Sequence, residues 1–193
     1  MSDERWLDRW LSLIGERADG LPVLELGCGS GHDSDVLAAA GHRVVGLDRS
    51  DSAVARAREH VPSAVFHCQD LRDPWPVERA GVVLASLSLH YFPWDETVVL
   101  VERIRRVLEP NGLLVCRLNS TNDHHFGASG HPAITENFYL VDGEPKRFFD
   151  RAAIDRLFAQ GWRMLHEGEG IIARYDRPKT VWEVILERRN DLS

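Results

Sequence analysis

The sequence predicts an α/β fold, a Rossmann-like, doubly wound and mostly parallel seven-stranded sheet closed by a C-terminal antiparallel hairpin. Three observations carry this reading. The run Val23-Leu24-Glu25-Leu26-Gly27-Cys28-Gly29-Ser30-Gly31 is a short apolar strand entering a glycine turn, followed by an alanine-rich stretch suited to a helix. A second apolar strand ends at Asp48, about 20 residues after Gly27, the offset at which a carboxylate meets ribose hydroxyls in such folds. Beyond it, strand-like and helix-like stretches alternate through short connections, the pattern of a parallel sheet with helices on both faces.

The elements follow in order. Residues 3–15 hold Trp6, Leu7, Trp10, Leu11 and Ile14 at three- and four-residue spacing, which predicts an amphipathic helix over the cleft or the sheet edge. Strands are predicted at 22–26, 43–47, 63–68, 81–87 and 112–118, with helices at 31–40, 51–60 and 95–109 between them. Ser50-Asp51-Ser52 offers caps for the helix that follows. Asn111-Gly112 forms a sharp turn into the fifth strand. Periodicity then fails from Asn119 to Lys146, where Gly127, Gly130, Pro132, Gly143 and Pro145 interrupt the chain. Loops beyond ~12–15 residues are usually functional or disordered. Phe126, Ile134, Phe138, Tyr139 and Leu140 argue for order, so residues 119–147 read as an inserted lid or substrate loop within a single domain spanning 1–193. A helix at 150–160 and a strand pair at 162–173 and 180–188 complete the pattern.

Composition narrows the function. The 193 residues are enough for one domain with one core, and 44% hydrophobic content can fill it. No apolar run approaches the ~20 residues that span a bilayer, and the first residues lack the basic-then-apolar pattern of a signal peptide. The expected location is cytoplasmic. A formal charge of −7 argues against a nucleic-acid partner, and Arg103, Arg105 and Arg106 read as the solvated face of a helix. Cys28, Cys68 and Cys116 show no paired spacing and read as small packing residues. His124 and His125 are adjacent and point apart on regular structure, so no metal site is expected.

The details of the turn select the nucleoside. The dinucleotide fingerprint is G-x-G-x-x-G, whereas here the spacing is G-x-G-x-G and His32 takes the place of the last glycine. Glu25 puts a negative charge where a pyrophosphate would be repelled. A cofactor with an ammonium, a sulfonium and no phosphate fits better. The stretch resembles the first motif of class I S-adenosylmethionine-dependent methyltransferases of the small-molecule type, an acid followed by L-G-x-G-x-G. Further landmarks in the family's order are Asp48, Asp70-Leu71, the stretch from Leu84 to Phe92, and Leu108-Glu109-Pro110-Asn111-Gly112. Ala80-Gly81 departs from the acid that the family often carries before the fourth strand. The ending from Phe149 to Arg189 is loosely similar to small tellurite-resistance methyltransferases.

The resemblance implies S-adenosylmethionine as cofactor and assigns its contacts. Gly27, Cys28, Gly29 and Gly31 line the methionine moiety, and Glu25 acts on its ammonium. Asp48 accepts from the ribose hydroxyls and Arg49 flanks the adenine. Asp70 meets the adenine amino group, the Leu71 amide donates beside it, and Ser86 and Leu87 pass beneath the sulfonium. His90 and Tyr91 leave the fourth strand where the methyl group emerges, with His90 available as a base; a helix start packed on the sheet accounts for them equally well. Arg117, on an apolar strand, needs an internal acid or an anionic group of the acceptor. Asn119, Thr121 and Asn122 point to the same mouth, and Arg147 and Arg174 are weaker candidates.

The implied reaction is in-line methyl transfer to a small molecule, anionic or of the thiol or chalcogen type, by a monomer or homodimer. Two rivals remain at this level. A nicotinamide-dependent oxidoreductase would need the missing third fingerprint glycine and a second catalytic half. A non-catalytic S-adenosylmethionine-binding regulatory module would need no acceptor pocket, so a covered cavity favours the enzyme.

Overall fold

A computed structural model describes residues 3–173 and 176–190. A seven-stranded sheet, in the order β3-β2-β1-β4-β5-β10-β9, forms its centre. The strands are β1 (Val23–Leu26), β2 (Val44–Asp48), β3 (Val65–Cys68), β4 (Ala80–Ser86), β5 (Leu108–Asn119), β9 (Trp162–Ile172) and β10 (Lys179–Arg188). β1 to β5 are parallel neighbours, and β10 runs antiparallel between β5 and β9. The helices are α1 (Leu11–Ala18), α2 (His32–Ala39), α3 (Asp51–His60), α4 (Trp94–Val107) and α5 (Arg151–Leu157).

The central strands are buried on both faces, which is why β1 and β4 read as unbroken apolar runs rather than alternating ones. One core cluster packs α4 and α5 through Leu100, Ile104 and Ile154 against Leu24, Val83, Leu114 and Val184. The opposite cluster sets Trp6, Leu7, Ile14 and Ala18 against Val82, Leu84, Val115 and Ile185. The Ser50 hydroxyl accepts from the Ala53 amide, and the Asp150 carboxylate caps α5 by accepting from the Ala153 amide at 2.7 Å. Each such cap is worth about 1 kcal/mol.

Two segments differ from the sequence expectation. The single helix over 3–15 is instead a 3-10 segment (Asp3–Trp10), kinked at Arg5, that passes into α1. The apolar spacing was sound, since Trp6, Leu7 and Ile14 are buried. Backbone winding is what the spacing leaves open. The stretch 119–146, expected to lack regular structure, contains a three-stranded antiparallel sheet in the order β6-β7-β8: β6 (Ala133–Thr135), β7 (Phe138–Val141) and β8 (Glu144–Arg147). Left-handed Asn137 (φ 52°), Asp142 (φ 52°) and Gly143 (φ 81°) make its turns. These strands have three or four residues each, too few for alternation to register.

The strand order reverses between β1 and β4, whose neighbouring carboxyl ends open a crevice. That switch point is where open α/β sheets bind ligands.

Candidate active site

A cavity of about 570 Å³ lies at this crevice. Its floor is the glycine turn after β1. Gly27 and Cys28 both donate to the Leu47 carbonyl, at 2.8 and 3.0 Å, tying the turn to β2. Gly27 has φ +78°, and a Cβ there would stand 2.4 Å from Ser88 Cβ, so a larger residue would push the turn off β4. Gly31 has φ +86°, and a Cβ there would stand 3.3 Å from Ala57 on α3. Gly29 (φ +53°) faces open space, leaving its backbone accessible to a ligand.

Glu25 ends up 2% exposed on β1, accepting from the Ser34 hydroxyl. Among the described residues no cation pairs with it. Burial, reinforced by Asp33 and Asp48, pushes its carboxyl up from 4.5 to about 8. A buried carboxylate without a counter-charge is costly, and an ammonium group seated beside it would remove that cost. Asp48 closes the end of β2. Its Oδ2 accepts from the Gly29 amide at 2.8 Å and its Oδ1 from the Ser50 amide at 2.9 Å. These bonds fix its orientation and leave lone pairs on both oxygens for hydroxyl donors.

The other predicted cofactor residues gather here too. Arg49, Asp70, Leu71, Ser86 and Leu87 all line the cavity. Asp70 is held by the Arg72 amide at 2.8 Å and by the Arg72 guanidinium at 3.1 Å. The Leu71 amide makes no hydrogen bond among the described residues, so it is free to donate to a ligand. Leu87 takes φ +56° at the end of β4 and donates to the Arg117 carbonyl at 2.9 Å. A left-handed leucine is strained, and such strain concentrates at ligand sites. The Cys28 thiol is pushed up by burial and by Glu25 and Asp48, which removes nucleophilic character. Ammonium, ribose and adenine therefore each find a fitting group, and S-adenosylmethionine suits this end of the cavity.

The far end is built by residues distant in sequence. His90 and Tyr91 form a 3-10 turn (Leu89–Tyr91) after β4, their ring centroids 4.2 Å apart. Phe126, Pro145 and Lys146 come from the 119–147 segment, and Lys179 from the start of β10. Burial, with Lys179 and Lys146 nearby, holds the His90 imidazole well below its usual range. The expectation of an available base near neutral pH is corrected accordingly. Arg49 pairs with Glu144 at 2.6 Å, joining the end of β2 to β8 across the cavity mouth.

Arg117 is brought elsewhere. It is 1% exposed, donates through Nε to Ser86 Oγ at 3.0 Å and stacks 4.1 Å from the Trp6 ring. With Trp6 it lines a second cleft of about 580 Å³, beside β9 and β10. Arg117 pairs with Ser86 on β4 and faces the Trp6 side of the sheet, toward the second cleft. Trp6 divides the two spaces, donating to Asp33 Oδ1 at 3.0 Å. Asn122 bonds Glu169 at 2.9 Å on the second cleft's side, whereas Asn119 lines the main cavity. Arg147 is anchored to the Phe92 and Glu136 carbonyls and stacks on Phe138, so it supports β8 rather than lining the cavity. Arg174 lies outside the described residues. Ser88, Lys146 and Lys179 were missed by sequence reasoning. For Lys179, one of only two lysines in the chain, its place at the start of a strand was a usable signal. No cluster of metal-ligating side chains occurs among the described residues.

Comparison with known proteins agrees with this geometry. Residues 23–112 match the family model described as a methyltransferase domain. The chain is 36% identical over 101 residues to a trans-aconitate 2-methyltransferase of Delftia acidovorans, covering 50% of this chain and 37% of that protein. It is 33% identical over 100 residues to a ubiquinone biosynthesis O-methyltransferase of Bradyrhizobium diazoefficiens, covering 50% and 39%. The chain thus spans less than half the length of these curated relatives. Over nearly its whole length the fold matches an S-adenosylmethionine-dependent methyltransferase of Mesorhizobium loti, with a TM-score of 0.73 at 22% identity, covering 96% of this chain and 98% of that one. It also matches a 1,6-didemethyltoxoflavin-N1-methyltransferase of Burkholderia thailandensis solved with S-adenosylhomocysteine, with a TM-score of 0.71 at 18% identity, covering 97% and 80%. Residues 23–112, which carry the glycine turn, Asp48 and Asp70, thus resemble a methyltransferase domain, and the fold of nearly the whole chain is that of S-adenosylmethionine-dependent methyltransferases.

Proposed function

We propose that the protein transfers a methyl group from S-adenosylmethionine to a small-molecule acceptor. The observation that carries this reading is Glu25, a buried carboxylate with no cation partner among the described residues, at the foot of a glycine turn that bonds Asp48. A nicotinamide dinucleotide would bring a pyrophosphate to that carboxylate, and a cationic cofactor brings the missing charge. The cofactor supplies a methyl group on a sulfonium, already a good leaving group. The protein's part is alignment and exclusion of water.

Within this reading Glu25 holds the ammonium, and Gly27, Cys28, Gly29 and Gly31 pack along the methionine chain. Asp48 takes the ribose, while Arg49, Asp70 and Leu71 border the adenine. Ser86 and Leu87 run under the sulfonium, and His90 and Tyr91 face the acceptor. The segment 119–147 acts as a lid, supported by the Arg49–Glu144 pair and by the cavity wall it provides. That covered space favours an enzyme over a binding module. Two similar proteins, the trans-aconitate and didemethyltoxoflavin methyltransferases, are named for small molecules, in keeping with an acceptor of that size.

Calorimetry tests the cofactor assignment. S-adenosylmethionine and S-adenosylhomocysteine are expected to bind in the micromolar range, with no measurable binding of nicotinamide dinucleotides. Comparable affinity for the latter overturns the assignment. Incubation with methyl-labelled cofactor and a metabolite extract then tests transfer, read as label in a small-molecule fraction.

A further inference from the structure

We propose that the cavity end opposite the glycine turn is a carboxylate pocket, where Lys146 and Lys179, with Ser88, His90 and Asn119, hold a small carboxylic acid for methylation on a carboxylate oxygen. The inference rests on the proposed function and specifies its acceptor.

The chain contains only two lysines, Lys146 and Lys179, although lysine and arginine together number 23. Arginine serves every other cationic position, yet both lysines line this one cavity. They arrive from β8 and β10. Lysine differs from arginine in being a compact point charge on a flexible stem, able to approach an anion in a confined space. Lys179 is already bound to Asp123 at 2.8 Å, and the wholly buried Asp123 also accepts from the Thr180 amide. Lys146 has no carboxylate partner among the described residues. The far end therefore carries net positive charge, while Glu25, Asp33 and Asp48 make the glycine-turn end negative.

Three buried polar atoms point the same way. Among the described residues Ser88 Oγ, His90 Nδ1 and Asn119 Oδ1 have no hydrogen-bond partner, and these three residues are 6%, 3% and 1% exposed. Buried polar atoms are nearly always bonded, so three orphans in one cavity mark a polar ligand. Ser88 and a neutral His90 supply donors to a carboxylate. Asn119 Oδ1 supplies an acceptor for a hydroxyl or second carboxyl on the same molecule.

The weakness of His90 as a base bears on the reacting atom. A hydroxyl or ammonium acceptor would have to lose a proton, and His90 is buried beside two cations that oppose its protonation. A carboxylate is ionised at neutral pH and needs no base. Its oxygen gives a lone pair to the methyl carbon as the carbon–sulfur bond breaks onto sulfur. Anion and sulfonium both become neutral, and no proton moves.

The test uses the full chain loaded with S-adenosylhomocysteine and a panel of mono-, di- and tricarboxylic acids of up to about six carbons, a size set by the cavity. At least one acid should bind by calorimetry and protect Lys146 from amine-selective acylation, read by mass. With methyl-labelled cofactor the product should release volatile labelled methanol in mild alkali, as an ester does. Lys146→Gln should raise the acceptor KM about tenfold or more while the S-adenosylhomocysteine Kd stays within about twofold. Because Lys179→Gln alone strands Asp123, the second variant is Lys179→Gln with Asp123→Asn. If that pair fails to fold, Lys146→Gln decides. Alkali-stable label, as in a thioether or N-methyl product, overturns the carboxylate pocket and leaves methyl transfer standing. So does weakened S-adenosylhomocysteine binding in Lys146→Gln, or no acid bound from the panel. Failure of the wild type to bind S-adenosylhomocysteine overturns the proposed function itself.

Discussion

Glu25→Gln isolates the charge on which the cofactor assignment depends. In the free protein burial holds the Glu25 carboxyl at about 8 against an ordinary 4.5, so the folded chain keeps a proton that the unfolded chain releases. Stability of the free protein is therefore full below pH 4.5 and is lost as pH rises toward about 8, with a ceiling of about 5 kcal/mol. Glutamine keeps an acceptor for Ser34 and removes the titration. The variant should match the wild-type Tm near pH 5 and exceed it near pH 8, by ~2–4 °C for each kcal/mol relieved. Cofactor binding runs the opposite way. An ammonium requires the ionised carboxylate, carried by roughly one free molecule in ten at pH 7. Wild-type binding should therefore release close to one proton at pH 7 and tighten about fivefold by pH 8. Glu25→Gln should lose that release and weaken S-adenosylhomocysteine by about 2 kcal/mol at pH 8, roughly 30-fold. Calorimetry in buffers of different ionisation enthalpy measures both effects, and comparison with the variant cancels protons from the ligand. Equal proton release in the two proteins, or equal affinity at pH 8, refutes the ammonium contact.

Asp48→Ala removes ribose acceptors and also the anchor for the Gly29 and Ser50 amides. It should weaken S-adenosylhomocysteine by about 2–3 kcal/mol, and Asp48→Asn by less, in the same titration. Gly27→Ala sets a Cβ against Ser88 and should cost about 1–3 kcal/mol of stability by denaturant melt, together with cofactor affinity. Amide exchange in residues 119–147 should slow when S-adenosylhomocysteine binds and quicken in Glu144→Ala, which breaks the pair with Arg49. Strong, ligand-independent protection would make that segment a static wall.

The sheet was legible in the sequence because its strands are local and buried on both faces. β1, β4 and the apolar run of β5 each declare themselves within a few residues, and Asp176-Arg177-Pro178 marks the turn before β10. The glycine-turn end of the cavity was legible for the same reason. Glu25, Gly27 and Asp48 sit on or just after β1 and β2, which pair directly, so the local sequence brings them together. Arg117 shows where that logic fails. Its residue type promised a partner, but the β4–β5 register and the kinked segment around Trp6 determined that it meets Ser86 on the neighbouring strand and Trp6 above it. The acceptor end was illegible because its residues are assembled by tertiary structure. Ser88 follows β4, Lys146 rides on a four-residue strand too short to read, and Lys179 depends on the β10 register beside β5.

The polarity of the assembled cavity links these parts. Acids crowd the end where a cation belongs, and lysines stand at the end where an anion would meet it. Each charge is costly while the site stands alone, as the shifts of Glu25 upward and of Lys179 downward record. In a low-dielectric space a sulfonium and a carboxylate attract strongly and cancel as the methyl group passes between them. Any hydration retained by the acceptor would have to be shed first, which a wall of Phe126 and Pro145 discourages. With the proposed acceptor the arrangement would favour the transition state over separated ions by placing opposite charges at opposite ends, without a proton carrier. Its cost is a free protein that is less stable at high pH, and the carboxylate that imposes that cost is the one proposed to bind the cofactor.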